Sequence, residues 1–157
     1  MLIIFALVSL LEGEFIDFRQ MLRLCMAHKI STAAAEHYHW GDSANLCDGW
    51  HLLRSEELSV IEERMPPGTA EQRHLHRRSR QLFYVLAGEL TMELDGVEHL
   101  LLTGEALEIL PGKAHQAINR SKADTRFLVA SQPPSHGDRY PVQAGMAVSN
   151  FSRRSPA

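Results

Sequence analysis

The sequence predicts an all-β sandwich or barrel. Three observations carry that reading. Short apolar or alternating stretches recur between Trp50 and Ser131 at the roughly 8–12-residue spacing of such folds. Gly, Pro and Asp turn residues separate them. No long 3.6-residue period intervenes, which disfavours a parallel βαβ fold.

The elements are taken in chain order. Residues 12–24 (EGEFIDFRQMLRL) read as a short amphipathic helix. Residues 26–51 read as an N-terminal arm with turn signals at Gly41-Asp42 and Asp48-Gly49, leading to a first strand near Trp50–Arg54. Leu58 to Met65 is a strand ended by Pro66-Pro67-Gly68. Gln81 to Ala87 is strongly β and closes on Gly88. Glu89 to Leu94 alternates and returns as Val97 to Leu102 through Asp95-Gly96, the best hairpin signal of the chain. Ala106 to Leu110, His115 to Asn119 and Asp124 to Ser131 complete the strands, and a Pro/Gly-rich tail over 133–157 is expected to wrap the surface. The barrel proper is expected over 52–132.

At 157 residues the chain suits one domain with a sizeable core. Its net charge of −3 gives no chain-wide attraction to nucleic acid. Arg73, Arg77, Arg78 and Arg80 cluster, but lack the aromatic interleaving of a single-strand binder and read as a solvated rim. Two cysteines, Cys25 and Cys47, without a CxxC motif suggest a reduced, cytoplasmic compartment. The apolar run Leu2 to Leu11 is too short to span a bilayer and lacks a basic leader region, so no membrane partner is expected. Residues 1–25 read as an over-long gene start or a loosely packed extension.

Candidate chemistry gathers at three places. His74 and His76 sit two apart, so on a strand they aim at one point. Gln81 shares a strand face with Phe83 and Val85, and His115 shares one with Ala117 and Asn119. Each polar residue heads a face that continues apolar or small, as a ligand at a barrel mouth should. His74, His76, Gln81 and His115 are therefore read as ligands of one divalent metal, with Ni, Mn, Fe, Zn and Co all open. Arg64, Phe83 and Met92 are candidate pocket residues. His37, His39 and His51 show no spacing that supports a second cluster, and Trp40 and Trp50 read as anchors of the arm. His136, Asp138 and Arg139 form a polar group in the tail that could close the pocket or an interface.

The spacing resembles the two motifs of the cupin superfamily. Gly68, His74-x-His76, Gln81 and Gly88 match the first, with glutamine where the family has glutamate. Gly104, Leu110-Pro111-Gly112, His115 and Asn119 match the second, with the proline displaced by one position. The resemblance implies a double-stranded β-helix, or jelly-roll barrel, holding the metal on those four residues. A neutral amide leaves the cation its full charge, favouring Lewis-acid chemistry over tight retention. A similar His-x-His-x4-Gln pattern occurs in small cupins that convert unsaturated uronates during pectin breakdown. The expected function is an isomerase or tautomerase acting on a sugar acid or related carbonyl compound. A cupin dioxygenase and a non-catalytic small-molecule-binding cupin are the alternatives. A homodimer is expected by the same resemblance, because edge strands need covering.

Overall fold

The computed structural model describes residues 28–41 and 45–142. The readings placed on residues 1–25, the helix at 12–24 and Cys25 lie outside the described residues, as does the tail beyond 142. The regular elements are all strands: β1 Glu36–Trp40, β2 Cys47–Arg54, β3 Ser59–Met65, β4 His74–Leu75, β5 Arg80–Ala87, β6 Glu89–Leu94, β7 Val97–Leu102, β8 Ala106–Ile109, β9 His115–Ile118, β10 Thr125–Gln132 and β11 Tyr140–Pro141. They form a six-stranded sheet in the order β1-β2-β3-β10-β5-β8 and a five-stranded sheet in the order β11-β4-β9-β6-β7. Every named pairing is antiparallel. Among the described residues no helix is long and apolar enough to cross a membrane.

Side-chain alternation explains how the sheets meet. On β5, Gln81, Phe83 and Val85 are buried while Leu82, Tyr84 and Leu86 face out. On β10, Thr125, Phe127, Val129 and Ser131 alternate inward in the same way. Cys47, Met65, Phe83, Val85, Ile109, Phe127 and Val129 from one sheet share a core with Leu90, Met92, Leu101 and Ala117 from the other. Burial of each large side chain there contributes ~1.5–3 kcal/mol. The apolar core fills one part of the barrel, and the polar inward residues lie beyond it.

The Asp-Gly hairpin forms as expected. Asp95 and Gly96 have φ of 49° and 94°, and Leu94 pairs with Val97 across them. Two consecutive positive φ values suit the right-handed strand twist, and glycine accepts the second without strain. Two strands extend beyond the expected set. β1 comes from the stretch expected as an arm, because His37-Tyr38-His39-Trp40 alternates and pairs in register with β2. β11 comes from the tail and pairs with β4, placing Tyr140 opposite Leu75 and Pro141 opposite His74.

Two local features aim side chains at the site. The register between β2 and β3 shifts between His51 and Leu53, leaving Leu52 as an extra residue. A bulge of this kind reverses the facing of the residues after it, so both His51 and Arg54 border the same cavity. At Gly49 a Cβ would lie 2.2 Å from Cζ of Tyr38, so glycine is required for the tyrosine ring to cross the strand.

Candidate metal centre and pocket

His74 and His115 are register partners on β4 and β9, and His76 lies two residues after His74. All three are buried, and their ring centroids lie 4.3 to 5.5 Å apart. Each ring gives its Nδ1 to a main-chain carbonyl: His74 to Gln72 at 2.8 Å, His76 to Asp138 at 2.7 Å and His115 to Lys113 at 3.0 Å. At His74 the 2.8 Å carbonyl contact is shorter than the competing approach of Nη2 of Arg139, at 3.2 Å, to the same nitrogen. A carbonyl can only accept, so these contacts put the proton on Nδ1 and leave each Nε2 its lone pair. Those nitrogens converge, with one ligand atom from each ring inside a 4.8 Å envelope.

The neutral form of each ring is the stable one. Burial, reinforced by the Arg139 cation, pulls His74 down to about 3. Burial, then the neighbouring His74, takes His115 down to about 4, and burial lowers His76 as well. Nε2 of His74 and Nε2 of His76 face each other at 3.2 Å. Two lone pairs at that distance repel unless a cation lies between them. Nε2 of His115 is buried without a partner. Gln81 repeats the pattern: its Nε2 donates to Oγ of Ser131 at 3.1 Å, which leaves Oε1 buried and unpaired. Its side chain borders the same cavity as His74 and His76. Three imidazole lone pairs and one orphaned amide oxygen fit a divalent cation.

The cavity beside the histidines has a volume of about 410 Å³, a size suited to a small molecule. Phe83 and Val129 form part of its apolar floor, and Glu63, Tyr38, His51, Arg54, Glu71, His136 and Arg139 supply polar groups. Glu63 stands out among them. Burial, aided by the negative Glu71, pushes its carboxyl up to about 8, so at neutral pH it holds a proton. The Tyr38 hydroxyl donates to Oε1 of Glu63 at 3.3 Å, and burial raises the tyrosine well above its ordinary range. Arg139 pairs with Glu71 at 3.6 Å and donates to the Gln72 carbonyl at 3.3 Å.

The tail is fastened over this cavity by Asp138. Its buried carboxylate accepts the main-chain N–H groups of Arg77, Arg78 and Ser79 at 3.2, 2.9 and 2.9 Å. Burial alone would raise its pKa; those N–H groups outweigh burial and hold it below the ordinary carboxylate range. His136 and Arg139 border the cavity, and Asp138 anchors the segment that carries them.

Of the seven candidate site residues, the structure brings His74, His76 and His115 together and sets Gln81 and Phe83 on the adjoining cavity wall. Arg64 and Met92 do not line it. On β3 the inward face is Ser59, Ile61 and Glu63, so Arg64 points outward and binds Asp48 and Asp124. Met92 is fully buried in the apolar core opposite Ala117. Glu63 lies on the opposite face of the strand from Arg64, the face that the odd-numbered apolar pair Ile61 and Met65 mark as inward. The four clustered arginines are engaged within the chain: Arg73 with Glu93, Arg78 with Asp138, Arg80 with Glu108, and Arg77 over the Tyr140 ring at 4.0 Å. Cys47 is a buried free thiol whose pKa burial raises.

The second histidine group is also corrected. His37 and His39 stand two apart on β1, which is strand spacing after all, and both meet Asp48 on the outer face of the sheet. His51 faces the cavity instead. Trp40 packs against the core, and Trp50 stacks on His37 at 5.2 Å.

Comparison with known proteins agrees with this architecture. An uncharacterized protein of Methanocaldococcus jannaschii is 28% identical over 89 residues, covering 56% of this chain and 71% of the relative. KdgF from Halomonas sp. superposes with a TM-score of 0.53 at 22% identity, over 56% of this chain and 79% of its own. A sugar phosphate isomerase of a cupin superfamily from Silicibacter pomeroyi superposes with a TM-score of 0.60 at 19% identity, over 76% of this chain and 99% of its own. Residues 61–131 match the cupin domain family, and that stretch, which holds the three converging histidines, is a cupin domain.

Proposed function

We propose that the protein is a metal-dependent isomerase or tautomerase of a small oxygenated molecule such as a sugar acid or related carbonyl compound. One observation carries the reading. Three inward imidazole lone pairs and the unpaired Gln81 oxygen stand beside a cavity whose buried carboxyl, Glu63, holds a proton. His74, His76, Gln81 and His115 would hold the divalent ion, which supplies Lewis-acid polarisation of a substrate oxygen. The chain supplies the rest. The gathered carbonyls of Gln72, Asp138 and Lys113 fix the ring tautomers. Ser131 turns the Gln81 oxygen away from itself by taking the amide hydrogen. Glu63 gives a proton to the substrate and its carboxylate takes one back from a neighbouring position, which closes an isomerisation with no net redox change. The similarity to a sugar phosphate isomerase supports the same class of small oxygenated substrate.

The ligand assignment is tested by Gln81→Glu. A carboxylate at that position adds a charge to an otherwise neutral donor set. It is expected to tighten divalent-metal binding about tenfold, or ~1.4 kcal/mol, in a competition titration against a chelator. Unchanged or weaker binding removes Gln81 from the ligand set. The reaction class is tested with a panel of sugar acids and keto acids, monitored by proton NMR and an oxygen electrode together. Rearrangement without oxygen uptake is the expected result, whereas stoichiometric oxygen uptake identifies a dioxygenase.

A further inference from the structure

We infer that the outer face of β1 and β2 carries a second divalent-metal site, formed by His37, His39 and Asp48 and chemically separate from the barrel interior. The three side chains are drawn from two strands in register, with His39 directly opposite Asp48. Their ligand atoms lie within 4.8 Å of one another. Nε2 of His37 is 2.8 Å and Nδ1 of His39 is 3.1 Å from the same carboxylate oxygen, Oδ1 of Asp48. Ligand bonds of ~2.0–2.1 Å in a tetrahedral zinc site set neighbouring donors about 3.3 Å apart. A few tenths of an ångström of opening would therefore admit the ion.

The surroundings are those of a held carboxylate with one free lobe. Asp48 is only 6% exposed. Arg64 takes Oδ2 through Nε at 2.7 Å and Nη2 at 2.6 Å, which orients the carboxylate and leaves Oδ1 to the imidazoles. His37 is braced by stacking on Trp50, with ring planes 22° apart. The His39 side chain is 54% exposed, so solvent reaches the site and can provide the entry path and a fourth ligand. Two imidazoles and one carboxylate suit zinc, cobalt or nickel better than magnesium or calcium.

Such an ion would fasten β1, the edge strand of its sheet, to β2. The opposite face of β1 delivers Tyr38 to Glu63, so the outer site braces the strand that roofs the cavity. The competing arrangement is a purely hydrogen-bonded triad, in which His37 and His39 both donate to Asp48.

Chelator-stripped full-length protein titrated with zinc at micromolar concentration separates the two. The wild type is expected to bind two equivalents, His39→Ala and His76→Ala one each, and the double variant none. Zinc should raise the melting temperature of His76→Ala and leave that of the double variant unmoved. His37→Gln serves as a second outer-site variant should His39→Ala lose its native circular dichroism. Unchanged stoichiometry in both outer variants overturns the proposal and leaves the triad hydrogen-bonded only. If the wild type binds a single ion, its loss in His39→Ala with retention in His76→Ala upholds this site and rejects the interior one. The reverse pattern rejects this site alone.

Discussion

Glu63→Gln is expected to lower turnover on the isomerised substrate by about 10²- to 10⁴-fold, the range for loss of a positioned general acid or base. Glutamine keeps the shape of the side chain and can still accept from the Tyr38 hydroxyl, but it has no proton to exchange. Because Glu63 lies outside the proposed four-residue donor set, interior metal uptake should not change. The pH profile supplies the second readout. The wild-type carboxyl is raised to about 8 by burial and by Glu71. It is therefore protonated at neutral pH, and wild-type activity should fall as the proton leaves on the alkaline side. That limb should vanish in the residual activity of the variant. Retention of more than a tenth of wild-type turnover, with the alkaline limb intact, would assign proton transfer to another group.

The parts of the fold and site legible in the sequence are those set by local rules. Gln81 and His115 can be phased because strand side chains alternate, and alternation holds through β5, β9 and β10. The histidine pair, by contrast, converges although β4 ends at Leu75 and His74, Leu75 and His76 are all buried. Asp95-Gly96 declares its hairpin because both residues have to take positive φ. The misplacements come where a local rule is broken or where a distant partner decides. Leu52 adds a residue to β2, and nothing in its side chain announces the bulge that redirects Arg54. Arg64 is a reasonable pocket cation until its neighbours fix the parity of β3. Ile61 and Met65 point inward and carry Glu63 with them, so Arg64 goes to Asp48 and Asp124. β1 reads as an arm because five residues flanked by turns give little periodicity, although His37 and His39 already have the right spacing. The role of Asp138 is not legible at all, since its three N–H partners lie 59 to 61 residues away in sequence.

Asp138→Ala is expected to destabilise the protein by about 3 kcal/mol, because it strips the acceptor from three main-chain N–H groups at once. Part of that cost is recovered if water enters, which is why the figure stays near that of a single buried polar group. For a chain of this size it corresponds to a fall in melting temperature of roughly 6–12 °C. Asp138→Asn keeps one acceptor oxygen and should fall between the variant and the wild type. The second consequence reaches the metal centre. The main-chain carbonyl of the same residue holds Nδ1 of His76, so loosening the tail frees that ring to rotate. Loss of a partner of this kind typically lowers metal affinity about 10–100-fold. Thermal melts and chelator competition on the same preparations check both effects. A variant that melts within a degree or two of the wild type, with metal affinity intact, would show that residues 133–142 are held over the cavity by other contacts, chiefly the pairing of β11 with β4.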